Sequence, residues 1–464
     1  MARPEPAGDT IAAIATPPGA AGIGIVRLSG PQARTILQRL FRPTRPARPL
    51  ASRRLTHGWL VDPQGLPLDE VLAVFMAPPH TYTREEVVEI QGHGSRLVLE
   101  AILAAVLAAG ARLALPGEFT RRAFLHGRID LTQAEAVLDV ITARTPASLG
   151  LATSQLAGRL GEAIAAVRSC LIDIAARTEV AIDFPDEDEE ILDPVLVDQQ
   201  LAQGVQAPLA RLLAACDQGQ LLREGVAVVI LGRPNVGKSS LLNLLLRAER
   251  AIVTPIPGTT RDFIEESCQI RGLPVRLVDT AGIREPSEAI EAMGVERARQ
   301  RMAAADLVLL VVDASTPLTA GDREIFAQAS GKPLLLVANK ADLPAALTEA
   351  DLAAAFPAVP RAVISAQTGQ GLAELEEALF RLATGSTTEL DPTLMVAPNL
   401  RHKAALAGAL EAVAAARAGL THGLAPDLLA IDLASALANL ADLTGETTPD
   451  DILDRIFAQF CIGK

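Results

Sequence analysis

Aromatic residues are scarce in this chain. They make up 3% of its 464 residues, with a single tryptophan and a single tyrosine. Proteins that hold single-stranded nucleic acid stack bases on aromatic platforms, and this chain has little with which to build one. An excess of basic charge is also missing. Asp and Glu number 55 against 42 Lys and Arg, for a formal net charge of −13; the pI is about 5.1. That balance excludes a general nucleic-acid binder, so any RNA contact must come from a local patch or a partner. The four cysteines, Cys170, Cys216, Cys268 and Cys461, lie far apart without metal-ligand spacing. Their number and spacing suggest a reducing compartment. The longest uninterrupted apolar stretch, residues 101–109, is too short to span a bilayer. Glu5 and Asp9 precede any apolar run, which argues against a secretory signal, and a cytoplasmic location with no membrane association is expected. No internal repeat is apparent. With 49% hydrophobic residues, the chain has material for roughly two to four domains.

What is present is a phosphate-binding loop, Gly232-Arg233-Pro234-Asn235-Val236-Gly237-Lys238-Ser239. The run before it, Val226 to Leu231, is short, apolar and β-branched and reads as a buried strand. Ser240 to Leu246 reads as the first turns of a helix. Gly232 and Gly237 allow the backbone to turn its N–H groups, including that of Val236, toward phosphate oxygens. Lys238 is placed to reach the β and γ phosphates, and Ser239 to offer its hydroxyl to Mg²⁺. The helix N-terminus, where Ser240 follows, adds partial positive charge.

A second loop reads the base. Leu334 to Ala338 is another buried strand, and Asn339-Lys340-Ala341-Asp342 follows it. A carboxylate at Asp342 accepts from both N1–H and N2–H₂ of guanine. Adenine would leave that carboxylate unpaired, at roughly a few kcal/mol. Ser365-Ala366-Gln367, after the strand-like Ala362 to Ile364, closes over the base. Asp279-Thr280-Ala281-Gly282 ends a further strand, Val275 to Val278. Asp279 is expected in the Mg²⁺ shell through water, and the Gly282 N–H at the γ-phosphate. Thr260 is the candidate second hydroxyl on Mg²⁺. These features indicate a GTPase domain. Small signalling GTPases place Gln after the Asp-Thr-Ala-Gly motif to orient the attacking water; here that position is Ile283. Asn235 suggests a substitute, because its side-chain carbonyl suits a monovalent cation placed where an arginine would otherwise reach.

Other stretches carry a resemblance over nearly the whole chain: Ala15-Thr16-Pro17-Pro18-Gly19, Gly24-Ile25-Val26-Arg27, Glu89-Ile90-Gln91-Gly92-His93-Gly94, Pro116-Gly117-Glu118-Phe119-Thr120, Asp130 to Ala136, Asp183-Phe184-Pro185 and the terminal Cys461-Ile462-Gly463-Lys464. With them the chain resembles the bacterial and organellar family of tRNA-modifying GTPases known as MnmE or TrmE. The expected fold class is multidomain α/β and α+β. Residues 1–125 read as an N-terminal α+β domain, with strands near 13–15, 24–28 and 71–75 and a helix over 95–109, capped by Ser95 and stopped by Gly110. Residues 126–224 read as helical, with Leu131, Ala134, Leu138 and Ile141 on one face. A P-loop, Ras-like GTPase domain is expected over 225–385. Residues 386–464 return to helix, with Leu406, Leu410 and Val413, then Leu429, Leu433, Leu437 and Leu440, on shared faces. Thr448 is expected to cap a last helix that has Pro449 first and Asp450 and Asp451 in its first turn. The resemblance implies that both helical stretches form one domain, with the GTPase domain inserted between them.

The resemblance implies more. The N-terminal domain is similar to the folate-binding domain of glycine-cleavage aminomethyltransferases, and is expected to dimerise and to bind 5,10-methylenetetrahydrofolate or a 5-formyl analogue. Glu85 or adjacent Glu86 matches the carboxylate for the pterin edge; Arg84 stands where the family usually has Gly. Arg27 and Lys464 match its cations, and Arg128 a position that is commonly Lys. K⁺ is implied at Asn235, Thr254, Ile256 and Thr259, in a nucleotide loop that also includes Pro255, Pro257 and Gly258. The two prolines lower the entropy cost of ordering that loop. Glu291 matches an acidic residue that orients water. Cys461 reads by itself as a small buried hydrophobe, whereas the family pattern places it near the folate as an acid or nucleophile. The acidic run 186–190 reads as a solvated surface segment. The implied function is a K⁺-dependent homodimeric GTPase. With an FAD-dependent partner it installs an aminomethyl or carboxymethylaminomethyl group at C5 of the wobble uridine of certain tRNAs, which it meets mainly through the partner. Two other readings are a ribosome-assembly regulatory GTPase and a folate-dependent aminomethyltransferase with a regulatory GTPase insert.

Overall fold

The computed structural model describes residues 8–45, 50–184, 192–248, 266–278, 305–329, 331–385, 396–423 and 425–464. The chain forms two compact units, one of residues 1–138 with 437–464, the other of residues 139–436.

The first unit is built on seven strands: β1 (Ile11–Ile14), β2 (Ala21–Ser29), β3 (Phe41–Pro43), β4 (Thr56–Val61), β5 (Pro67–Met76), β6 (Val87–Gly94) and β7 (Arg112–Leu113). Their order is β3-β4-β5-β6-β2-β1-β7. All neighbours are antiparallel except β1 and β7, which run parallel. Strand alternation gives the sheet two different faces. Val26, Leu28, Val88 and Ile90 meet Ile36, Leu37, Ile102 and Val106 of the helices Ala33–Leu40 and Arg96–Ala108. Ile11 and Ala13 point the other way, to Phe119. Ser95 sits at the expected cap, but its side chain makes no capping bond. Gly110 follows that helix at φ +116°, the left-handed conformation of a helix stop.

The last helix of the chain, Asp450–Phe457, belongs to this unit. Leu453, Phe457 and Phe460 pack with Leu131 and Ala134. Pro449, not Thr448, takes the cap position. Thr448 Oγ1 instead donates to the Asp442 carbonyl at 3.1 Å.

The second unit contains a helical part and a six-stranded sheet. In the helical part, helices Pro194–Gln200 and Ala207–Glu224 are joined by a π-helical turn, Leu201–Gln206. Gly204 in that turn leaves room for Cys170, whose Sγ would lie 2.8 Å from an added Cβ. Helix Leu400–Thr421, which follows the sheet in sequence, packs on this same group. Among the described residues it is the one helix long and apolar enough to cross a membrane by length and composition. Here Leu406, Ala409, Val413 and Ala416 are buried, and Arg417 pairs with Asp198 at 2.7 Å. Arg223 binds the start and the end of the intervening stretch together. Its guanidinium donates to the carbonyls of Ala397 and Pro398, to Gln155 and to Asp139.

The sheet comprises β8 (Val226–Leu231), β9 (Glu266–Ile270), β10 (Leu273–Leu277), β11 (Leu307–Asp313), β12 (Leu334–Asn339) and β13 (Arg361–Val363), in the order β13-β12-β11-β8-β10-β9. Only β9, at one edge, is antiparallel to its neighbour. Apolar clusters cover both faces, which explains why β8, β11 and β12 read as continuous apolar runs rather than alternating ones. The chain leaves β8 at the point where strand order reverses, between β10 and β11. In open parallel sheets ligands sit in the crevice beyond the strand ends at such a point.

Candidate nucleotide site and a second polar site

The loop Gly232–Gly237 joins β8 to the helix Lys238–Ala248. Its path depends on left-handed residues: Gly232 at φ +151°, Asn235 at +65° and Gly237 at +98°. A Cβ on Gly232 would lie 2.4 Å from the Val311 carbonyl, and one on Gly237 2.2 Å from Asn339 Nδ2. Lys238 Nζ donates to the carbonyls of Gly232 at 2.8 Å and Arg233 at 2.7 Å. Burial lowers the pKa of this ammonium below its ordinary value, and an anionic group beside it would reverse that shift. Ser239 and Ser240 are exposed at the helix start, Asn235 at the loop crest.

The base-side loop is tied to the phosphate loop by Asn339, which is 2% exposed. Its Nδ2 donates to the Val236 carbonyl and its Oδ1 accepts from Ala366 N, both at 2.9 Å. Asp342 is exposed, with Ser365 Oγ donating to its Oδ1 at 2.5 Å. Gln367 is exposed beside it. Lys340 adopts φ +68° and pairs with Asp313 at 2.6 Å. Burial acts to raise the Asp313 carboxyl, but Lys340 and Ser315 outweigh it and hold the pKa low.

Thus Val236, Gly237, Lys238, Ser239, Asn339, Asp342, Ser365 and Ala366 meet at the carboxyl ends of β8, β12 and β13. Thr254, Pro255, Ile256, Pro257, Gly258, Thr259, Thr260, Asp279, Thr280, Ala281, Gly282, Ile283 and Glu291 lie outside the described residues, as do the acidic run 186–190 and the boundary at 386–388. Two ion pairs escaped the sequence reading: Lys340 with Asp313, and Arg233 with Asp322 at 2.8 Å. Their partners are 27 and 89 positions apart; the only signal was an acidic residue at the end of β11 and another in a first helical turn.

A second polar site lies in the N-terminal unit. Arg27 stands opposite Glu89 in the β2–β6 register, and its Nε and Nη2 donate to Glu89 Oε1 at 3.0 and 2.9 Å. Its guanidinium carbon lies 5.8 Å from the Tyr82 ring centroid and 5.9 Å from that of Phe119; Arg128 lies 4.7 Å from the Tyr82 centroid. Lys464 is near enough that Arg27, after burial, lowers its pKa further. The tail is held by Phe119 N, which donates to the Lys464 carbonyl at 3.1 Å. Gly463, at φ +97°, passes so close to β1 that a Cβ would lie 2.4 Å from the Ile14 carbonyl.

The two neighbouring glutamates point to different places. Glu85 accepts from Ser29 Oγ at 2.7 Å and from Arg122 at 3.3 Å. Glu86 accepts from Arg34 N at 3.4 Å. Arg84 adopts φ +60°, a conformation natural to the glycine usual there in the similar family, and it donates to the His126 carbonyl. Cys461 is exposed, so its side chain is not the small buried hydrophobe that its residue type alone suggests. Beneath Glu85 lies a network in which Arg122 and Arg112 share Asp9 and Glu118, at 2.6 to 3.0 Å. None of these four was expected to act; they are up to 113 positions apart.

The sheet, its glycine-shaped loop and the adjoining Asn-Lys-x-Asp segment define a P-loop guanine-nucleotide-binding protein. Comparison with known proteins narrows this. Residues 10–128 match the model of the GTP-binding protein TrmE N-terminus, and residues 131–461 that of the MnmE helical domain. The tRNA modification GTPase MnmE of Desulfotalea psychrophila is 49% identical over 98% of each chain. That of Chloroflexus aurantiacus is 49% identical over 98% of this chain and all of its own. Among solved structures, the G domain of the T. maritima FeoB iron transporter aligns at 27% identity, covering 34% of this chain and 99% of that one, with a TM-score of 0.27. The chain belongs to the MnmE family of tRNA modification GTPases.

Proposed function

We propose that this chain is a K⁺-dependent GTPase that works with an FAD-dependent partner protein. The pair adds an aminomethyl or carboxymethylaminomethyl group to C5 of the wobble uridine of certain tRNAs, using a one-carbon tetrahydrofolate. Residues 225–385 are the GTPase domain, inserted between helical parts 126–224 and 386–464. Residues 1–125 bind the folate and hold a homodimer. The protein acts in the cytoplasm and meets tRNA mainly through its partner, which fits its acidic charge and few aromatics.

In the GTPase domain Lys238 and the N–H groups of residues 235–240 bind the phosphates, and Asp342, with Asn339 and residues 365–367, selects guanine. Ser239 and Thr260 hold Mg²⁺, with Asp279 behind it and Thr280, Ala281 and Gly282 following at the γ-phosphate. Asn235, Thr254, Ile256 and Thr259 provide neutral oxygens for K⁺, which supplies positive charge where an arginine would otherwise act. Pro255, Pro257 and Gly258 shape the loop that carries them. Glu291 orients the attacking water in place of the glutamine replaced by Ile283. In the N-terminal domain, Arg27, Arg128 and Lys464 around the rings of Tyr82 and Phe119 suit a flat anionic ligand. Glu85 takes the pterin edge. Cys461 acts next to it as acid or nucleophile.

The observation that supports this reading most is the meeting of Arg27, Tyr82, Arg128 and Lys464, drawn from four separate stretches, in a chain that also carries a guanine-nucleotide loop. The test is GTP hydrolysis at fixed Mg²⁺ in KCl and in NaCl, across protein concentrations. Faster turnover in KCl that rises per molecule with concentration is expected. Equal, slow rates in both salts would sink the cation mechanism and point to a switch driven by an external protein.

A further inference from the structure

Resting on the reading of Lys238 as the phosphate-binding lysine proposed above, we propose that Arg233 and Asp322 are its positioning pair. Arg233 is the second residue of the loop, and its backbone carbonyl accepts from Lys238 Nζ at 2.7 Å. Its side chain leaves the loop and donates through Nε to Asp322 Oδ1 at 2.8 Å. Asp322 is 2% exposed, Arg233 about a third exposed. The chain of contacts Asp322, Arg233, Lys238 therefore links the start of the helix Ala320–Gln328 to the ammonium that faces the phosphates.

Three features make this link stiff. Asp322 divides its oxygens: Oδ2 accepts from Thr319 N and Oγ1, each at 2.9 Å, and Oδ1 is given to Arg233. The carboxylate is thus fixed by a capping box before Arg233 reaches it. Burial acts to raise the Asp322 carboxyl, but Thr319 and Arg233 outweigh it and hold the pKa low, so the pair is charged near neutrality. Gly321 gives the arginine stem room, with its Cβ position 3.2 Å from Arg233 Cδ. Pro234 removes most of the remaining freedom, since a residue before proline is confined to extended backbone. With its guanidinium held by Asp322, Arg233 fixes one of the two carbonyls that seat Lys238, the other being that of Gly232.

A group that holds Lys238 alike in the ground and transition states contributes uniform binding, and its loss raises KM and leaves kcat unchanged. Arg233→Ala, Arg233→Lys, Asp322→Asn and the Arg233→Ala/Asp322→Asn double variant are compared in the full chain, by GTP hydrolysis in KCl with KM and kcat separated. Asp322→Asn keeps an oxygen for the Thr319 cap. The expected result for Arg233→Ala and for Asp322→Asn is a KM raised about 10-fold with kcat within about 2-fold. The double variant is expected to be no worse than either single one, because both break the same link. Arg233→Lys should recover part of the loss, since an ammonium can still reach the carboxylate. A KM within about 2-fold of the parent for Arg233→Ala, or single effects that add in the double variant, overturns the proposal. If Asp322→Asn does not fold, the difference between Arg233→Ala and Arg233→Lys decides by itself.

Discussion

Asn339 Nδ2 donates to the carbonyl of Val236 at 2.9 Å, across 103 positions of sequence. Because Asn339 Oδ1 also accepts from Ala366 N, one buried side chain sets the distance between the phosphate side and the base side of the site. Replacement by alanine would leave two backbone groups without this partner, each costing about 1–3 kcal/mol. Asn339→Ala should therefore lower both the thermal midpoint and the affinity for a fluorescent GDP analogue, the latter by at least about 10-fold. Unchanged binding with a lowered midpoint would show the bridge to be structural only.

Ser365 Oγ fixes one oxygen of the exposed Asp342; under the proposed function the other oxygen takes the base. Asp342→Asn keeps an oxygen for Ser365 but turns the second atom into a donor. GTP affinity should fall by at least about 10²-fold while xanthosine triphosphate, which presents an oxygen there, gains. Competition of the two nucleotides for the variant checks this, and retained preference for GTP would remove Asp342 from base reading.

Gly463 is held where no side chain fits. Gly463→Ala should displace the Cys461 to Lys464 tail and abolish tRNA modification in cells, with GTP hydrolysis retained. Cys461→Ser, which leaves the backbone in place, separates the thiol from the tail. Full modification by that variant would end a chemical role for Cys461.

The Asp9–Glu118–Arg112–Arg122 network makes the N-terminal unit acid-sensitive. Burial acts to raise both carboxyls, but Arg112 and Arg122 outweigh it and hold each below its ordinary value of 3.8 or 4.5. A lowered folded pKa gives stability that is present above the ordinary value and lost as the pH falls through the lowered one. Thermal midpoints should hold above about pH 4.5 and decline below it. Glu118→Gln, which leaves the arginines facing less charge, should unfold earlier even at neutral pH. A flat midpoint down through acid pH would contradict the reading.

The nucleotide site was legible because its chemistry dictates residue types at close spacing: Gly237 has no room for a side chain beside Asn339, and β8 and β12 are buried on both faces. The N-terminal sheet was less legible. β1, β2 and β5 were visible as apolar runs. β4 lies between β3 and β5 with His57 and Trp59 exposed, and β6 ends in Gly92 and Gly94, which lie against Asp69 and Ala21. The glycines at inward positions, Gly58, Gly92 and Gly94, interrupt the run of large apolar side chains that marks a strand in sequence. Arg27 was singled out by resemblance alone, and its partner Glu89 follows from register, which a sequence does not display. The π turn at Leu201–Gln206 left no sign beyond an ordinary helical pattern.

The N-terminal unit is closed by residues synthesised after everything from Asp139 to Ala436. A nascent chain that has emerged only to Leu138 possesses the β-sheet but not Phe457, Phe460 or Gly463, which seat against Leu131, Gly117 and β1. A ribosome that terminates early therefore releases a chain without these contacts, and the tail beside Ile14 is in place only on a molecule whose intervening stretch has already been made.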